Sequence, residues 1–181
     1  ALRNAATLLQ TGGAAAVKIE GGLATANITR ELVNRGMPVM AHVGLTPQSA
    51  HVLGGYRVQG KGLAEAQEIV NGAQAQANAG AFAIVLEMLP AKLAGAITKH
   101  VPIPTIGIGA GVHCDGQIQV LHDLLGLSSS GFRHSHVFAE IASISEAALR
   151  EYAQQVRSAN FPSLEQSFKG KRGTVKRLTF E

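Results

Sequence analysis

Residues 17–22 read Val-Lys-Ile-Glu-Gly-Gly, and the placing of the two charges in that run decides the architecture. A strand repeats every two residues, so Lys18 and Glu20 point to one side while Val17 and Ile19 point to the other. Charges held away from water must pair or bind something. The plain alternative is a structural ion pair. Gly21 and Gly22 then let the backbone turn close to a ligand.

The same pattern recurs outward from this run. Residues 14–19, 38–43, 82–86 and 104–108 are short and apolar on both faces, and 126–130 form a weaker fifth run. Buried parallel strands read this way. Between them lie segments with helical spacing at 1–10, 25–34, 63–79, 91–99, 115–125 and 145–158. The longest carries Leu63, Ala66, Ile69, Val70 and Ala73 on one stripe. Asp115 and Ser145 are placed as helix N-caps. Strict alternation of strand and helix predicts βαβ units and a parallel sheet. An open doubly wound sheet and a (β/α)₈ barrel both fit that alternation. The polar residues favour the barrel. Lys18 and Glu20, His42 and Glu87 sit at the C-terminal ends of successive strands, which ring one mouth of a barrel.

Composition narrows the function classes. Apolar residues make up 46% of the 181 and charged residues 15%, a globular balance with enough chain for one domain core. The formal charge of +4 is scattered, except for Lys169, Lys171, Arg172, Lys176 and Arg177 near the end. Without an aromatic platform or a binding motif, that tail reads as a solvated terminus and not as a nucleic-acid site. Cys114 is the only cysteine, so no internal disulfide forms and a reducing cytoplasm suits the chain. No clear base partner activates that thiol. No apolar run approaches the ~20 residues of a membrane span, and no signal peptide opens the chain. Ala1 lies inside a helix already under way.

Each candidate residue has a bland reading beside the functional one. His42 ends a strand, where a lone histidine is more often a satisfied core residue than a ligand. Its level with Lys18 and Glu20 favours function. Glu87 follows the wholly apolar Ile84-Val85-Leu86. A carboxylate there is either ion-paired or partly desolvated and available as a general base. The loop Gly54-Gly55-Tyr56-Arg57-Val58-Gln59-Gly60 is long and Gly-rich, as loops that cover substrate often are. Gly107-Ile108-Gly109-Ala110-Gly111 is a weak signal, either an anion cradle or close backbone packing. His100, His113, His122, His134 and His136 lack metal-ligand spacing.

Taken in order, VKIEGG, AHVGLTPQS, GGYRVQGK, VLEMLP and IGIGAGVHCDGQ resemble the ketopantoate hydroxymethyltransferase family over roughly residues 1–168. The resemblance implies an α/β (β/α)₈ TIM barrel of the phosphoenolpyruvate/pyruvate type. The resemblance further implies that about the last five βα units are present and the first three strands are missing, with a partial barrel over 1–169 and a basic tail over 170–181. It implies transfer of a hydroxymethyl group from 5,10-methylenetetrahydrofolate to 3-methyl-2-oxobutanoate, through an enolate stabilised by Mg²⁺, in pantothenate biosynthesis. Carried onto matching positions, Glu87 is the catalytic base, Lys18 and His42 contact substrate, and Glu20 belongs to the Mg²⁺ site. Two further aspartates and a serine of the family's site lie on the family's strands ahead of the one that matches residues 14–19, and none of them is in this chain. The family also implies a cytoplasmic homo-oligomer without nucleic-acid or membrane partners. The alternatives are a truncated, non-catalytic assembly or binding module, and a different barrel enzyme such as a carbon–carbon lyase. Residues 132–143 and the tail depart from the family pattern.

Overall fold

A computed structural model describes residues 1–52, 54–128 and 131–171. The chain folds as two compact units, residues 1–120 with 132–135, and residues 121–131 with 136–181. The first unit holds a parallel sheet of five strands: β1 (Val17–Glu20), β2 (Val39–Gly44), β3 (Ala83–Glu87), β4 (Thr105–Ile108) and β5 (Gly116–Gln117). They pair in chain order, every ladder parallel. Helices α1 (Leu2–Gln10), α2 (Ala26–Asn34), α3 (Leu63–Asn78) and α4 (Ala91–His100) alternate with them.

The alternation of side chains sorts the sheet into two faces. Ala41, Val43, Ile84 and Leu86 pack with Ala73 of α3 and with Ala94 and Ile97 of α4. Val17 and Val39 pack with Ala5 of α1 and Leu32 of α2. Partners across a parallel ladder share a face, so the opposite face carries Lys18 and Glu20, Met40 and His42, Val85 and Glu87, then Ile106 and Ile108. The cores with α1–α4 thus take one set of strand residues, and every predicted site residue belongs to the other.

The first four predicted strands and the helices between them stand where expected, within three residues. The C-terminal part of the reading needs correction. A helix was expected over 115–125 with Asp115 as its cap. Instead the chain forms β5 beside β4, and only Leu121–Leu124 is helical (α5). The physical reason lies in Asp115. Its Oδ2 accepts from the Thr105 backbone N–H at 2.8 Å and from the Thr105 hydroxyl at 3.0 Å. That pins residues 115–117 to the sheet, and Ile118 N–H donates to Gly107 O at 3.0 Å. Residues 126–128 of the expected fifth strand are not a strand. Leu127 N–H donates to His122 O in a turn there, and 129–130 lie outside the described residues.

In the second unit, α6 (Ile141–Arg157) starts four residues before the expected cap, so Ser145 is inside it. Arg150 and Glu146 pair along its surface. Residues 172–181 of the predicted tail lie outside the described residues. Among the described residues, no helix is long and apolar enough to cross a membrane.

Candidate active site

Register brings the four candidate residues together. Glu20 lies opposite His42 across the β1–β2 ladder, and Gly44, two residues on from His42, lies opposite Glu87. His42 is the centre, with only 1% of its side chain exposed, against 15% each for Glu20 and Glu87. Its Nε2 is 3.1 Å from Glu87 Oε2 and its Nδ1 is 4.0 Å from Glu20 Oε1. Lys18 Nζ is 3.5 Å from His42 Nδ1. A lysine ammonium only donates, so this contact casts Nδ1 as the acceptor and leaves the ring proton on Nε2, towards Glu87. The Nε2–Glu87 contact is close but not aligned as a hydrogen bond, and Nε2 is the one buried side-chain polar atom without such a bond among the described residues. Lys18, expected inside, is exposed, because β1 is the edge strand of this sheet.

The backbone around these residues is tightly fixed. Leu45 N–H donates to Glu87 O, and Met88 N–H to Ile108 O, at 2.9 and 2.8 Å. Met88 takes a positive φ of 48°, unusual for a residue with a side chain. Gln59, from the Gly-rich loop, is buried and donates its N–H to Met88 O at 2.9 Å. Gly44 has φ 94°, and a Cβ there would collide with Glu87 O.

A network that the sequence reading missed holds the Glu20 side. Gln76 of α3 is fully buried. Its Oε1 accepts from the Thr29 hydroxyl at 2.7 Å. Its Nε2 reaches Gly21 O at 3.1 Å, Gly22 O at 2.7 Å and Thr25 Oγ1 at 2.8 Å. The turn after Glu20 is therefore tied to α2 and α3. Gly72, one turn back, abuts Gly22 so closely that a Cβ would lie 2.9 Å from Gly22 Cα. The available signal was position. Gln76 and Gly72 extend the apolar stripe of α3, where a buried polar residue demands partners. Beyond the turn, Gln48 N–H donates to Glu20 Oε2 at 3.1 Å.

A metal fits this site in part. Glu20 has Oε1 clear of backbone donors. Among the described residues no group of three or more His, Cys, Asp or Glu could hold an ion. Mg²⁺ commonly takes one or two protein carboxylates and completes its shell with water and substrate, so Glu20 suits one ligand position of a larger set.

The family model for ketopantoate hydroxymethyltransferase matches residues 1–164. The chain belongs to that family. It is 52% identical over 169 residues to the 3-methyl-2-oxobutanoate hydroxymethyltransferase of Carboxydothermus hydrogenoformans, 93% of this chain and 61% of the relative. The Moorella thermoacetica protein of that name is 53% identical over 171 residues, covering 93% and 63%. The Paracoccus denitrificans one is 52% identical over 170 residues, covering 93% and 61%. This ketopantoate hydroxymethyltransferase family member thus spans about 61% of the length of the curated relatives it matches. A solved phosphonopyruvate hydrolase aligns with 92% of the chain and 59% of its own, at 19% identity and a TM-score of 0.42.

Proposed function

We propose that the full-length protein transfers a hydroxymethyl group from 5,10-methylenetetrahydrofolate to 3-methyl-2-oxobutanoate, giving ketopantoate for pantothenate synthesis. The observation that carries this reading is the convergence of Lys18, Glu20, His42 and Glu87 at the C-terminal ends of three adjacent parallel strands. The sheet runs in chain order without a switch point, which suits an arc of a phosphoenolpyruvate/pyruvate-type (β/α)₈ barrel better than a doubly wound sheet. The part of the family's length not spanned here would supply the remaining strands and metal carboxylates.

In the proposed reaction Lys18, whose Nζ lies 3.5 Å from His42 Nδ1, meets the substrate carboxylate. Glu87 removes the C3 proton, and the buried His42 ring, with Nε2 3.1 Å from Glu87 Oε2, packs beside the carboxylate that takes it. Mg²⁺, with Glu20 as one ligand, would supply Lewis acidity to the keto oxygen and so lower the cost of the carbanion. C3 then bonds to the donor methylene, the carrier leaves as tetrahydrofolate, and one water provides the product's hydroxyl oxygen.

The absence of a three-ligand cluster among the described residues favours one other reading, a non-catalytic assembly module. Steady-state assays on the full-length protein separate the two. Ketopantoate formation is expected, with Lys18→Met lowering kcat/KM for the keto acid at least about tenfold through loss of a charge-assisted contact. A full-length protein without turnover supports the module.

A further inference from the structure

The residue after Glu87 sits in an unusual backbone state. Met88 has φ 48°, a region that costs free energy for a residue with a Cβ. Among the described residues only Ala159 shares this, and it follows the end of α6, where left-handed residues commonly close helices. At other positive-φ turns near the site the chain has glycine, as at Gly44, Gly60 and Gly109. Met88 closes no helix. It ends the strand that carries Glu87. Strain of this kind persists only where the surroundings hold the backbone, and it gathers at functional sites.

What holds it here can be named. The peptide group between Glu87 and Met88 is gripped from both sides: its oxygen accepts from Leu45 N–H at 2.9 Å, and its N–H donates to Ile108 O at 2.8 Å. The turn then brings Met88 O to the Gln59 N–H at 2.9 Å. Gln59 is buried, and its Nε2 donates to Arg57 O at 2.9 Å. Next to it Gly60 lies so close to α4 that a Cβ would be 2.5 Å from Leu93 Cδ2. The far end of the Gly-rich loop is therefore seated, and it is seated on the backbone of the base. Downstream of Met88 the chain is anchored too, with Leu89 in the core and α4 starting at Ala91. Without the Gln59 bond Met88 relaxes towards negative φ, and because Leu89 cannot swing, the rotation falls on the Glu87 side. We infer that Gln59 is a positioning residue for the base: its N–H locks the strained turn at Met88, and that turn fixes the backbone from which Glu87 reaches the reacting carbon. The inference rests on the proposed transferase reading and adds what aims its base.

Exchange of the C3 proton of 3-methyl-2-oxobutanoate into D₂O by the full-length protein, with Mg²⁺ and no folate, tests it. Gln59→Pro deletes the N–H. It should lower the maximal exchange rate at least about tenfold, since a misplacement of about 1 Å costs roughly 100-fold, and leave KM for the keto acid within about threefold. Adding Met88→Gly should recover at least about threefold, because glycine takes the turn without strain and no longer needs the bond. A residue that served folding alone would show no such rescue. Gln59→Ala keeps the N–H and loses the bond to Arg57 O; a milder loss of about threefold, reversed by Met88→Gly in the same way, is expected, and it carries the test where the proline variant does not fold. Wild-type rates in both Gln59 variants, or losses that Met88→Gly leaves untouched, overturn the assignment. Absence of exchange in the wild type sinks the transferase reading and this inference with it, whereas wild-type exchange that ignores Gln59 sinks this inference alone.

Discussion

Replacing Gln76 by Leu removes an amide from a dry position while keeping most of its volume. The Thr29 hydroxyl is fully buried, so losing its acceptor leaves a polar group without water, at about 1–3 kcal/mol. Gly21 O, Gly22 O and Thr25 Oγ1 share the two protons of the Gln76 amide. They are half-buried and regain part of their hydrogen bonding from solvent, at roughly 0.5–1 kcal/mol each. The total is about 2.5–6 kcal/mol, a large part of the ~5–15 kcal/mol stability of a typical domain. At a slope of ~2 kcal/mol per molar urea, the midpoint should fall by about 1.2–3 M. Urea titration of the full-length protein, followed by circular dichroism, reads this directly. Thr29→Val in the Gln76→Leu background should recover about 1 kcal/mol or more, because removing both partners removes the stranded hydroxyl. A loss below about 1 kcal/mol, or a double variant less stable than the single one, would refute the network as described.

Three further outcomes follow from the geometry. Gly44→Ala forces a side chain into φ 94° and against Glu87 O, so it should destabilise by about 2–4 kcal/mol; a midpoint within 0.3 M urea of wild type (about 0.6 kcal/mol) contradicts that fit. The Asp115 carboxyl is held below its ordinary value of 3.8, first by the Thr105 backbone N–H and then by the Thr105 hydroxyl. Its contribution is therefore present above about pH 4 and lost as pH falls through the lowered value. The stability gap between wild type and Asp115→Asn should stay level from pH 7 to 5 and shrink below 4, and a gap unchanged at about pH 2.5 counts against the contact. Burial, the largest influence, pushes the Cys114 thiol above its ordinary 9.0, so alkylation at pH 8 should be several-fold slower folded than in urea; equal rates contradict it.

The first four strands were legible because each is a short apolar run cut off by Gly or Pro, and because Glu20 and Glu87 end β1 and β3 while His42 lies two residues before the end of β2. That single regularity carried both the sheet and the grouping of Glu20, His42 and Glu87. It could not reveal that Lys18 is exposed, since burial of an edge-strand side chain depends on what lies beside the strand. Leu121, Leu124 and Leu125 mimic a helix beginning at Asp115, and nothing local announces that the Asp115 carboxylate is engaged ten residues back by Thr105. Gln76 was hidden for the opposite reason. Glutamine in a helix reads as surface until the Thr29 hydroxyl and two glycine carbonyls are seen to converge on it.

The central claim is that Glu87 acts as a base on a keto acid held beside Lys18, Glu20 and His42. Proton NMR of 3-methyl-2-oxobutanoate in D₂O, with Mg²⁺ and full-length protein but no folate, tests it most directly. The account predicts steady loss of the C3 proton signal with wild type, slowed about 100-fold or more by Glu87→Gln. Exchange at the wild-type rate in Glu87→Gln would contradict it.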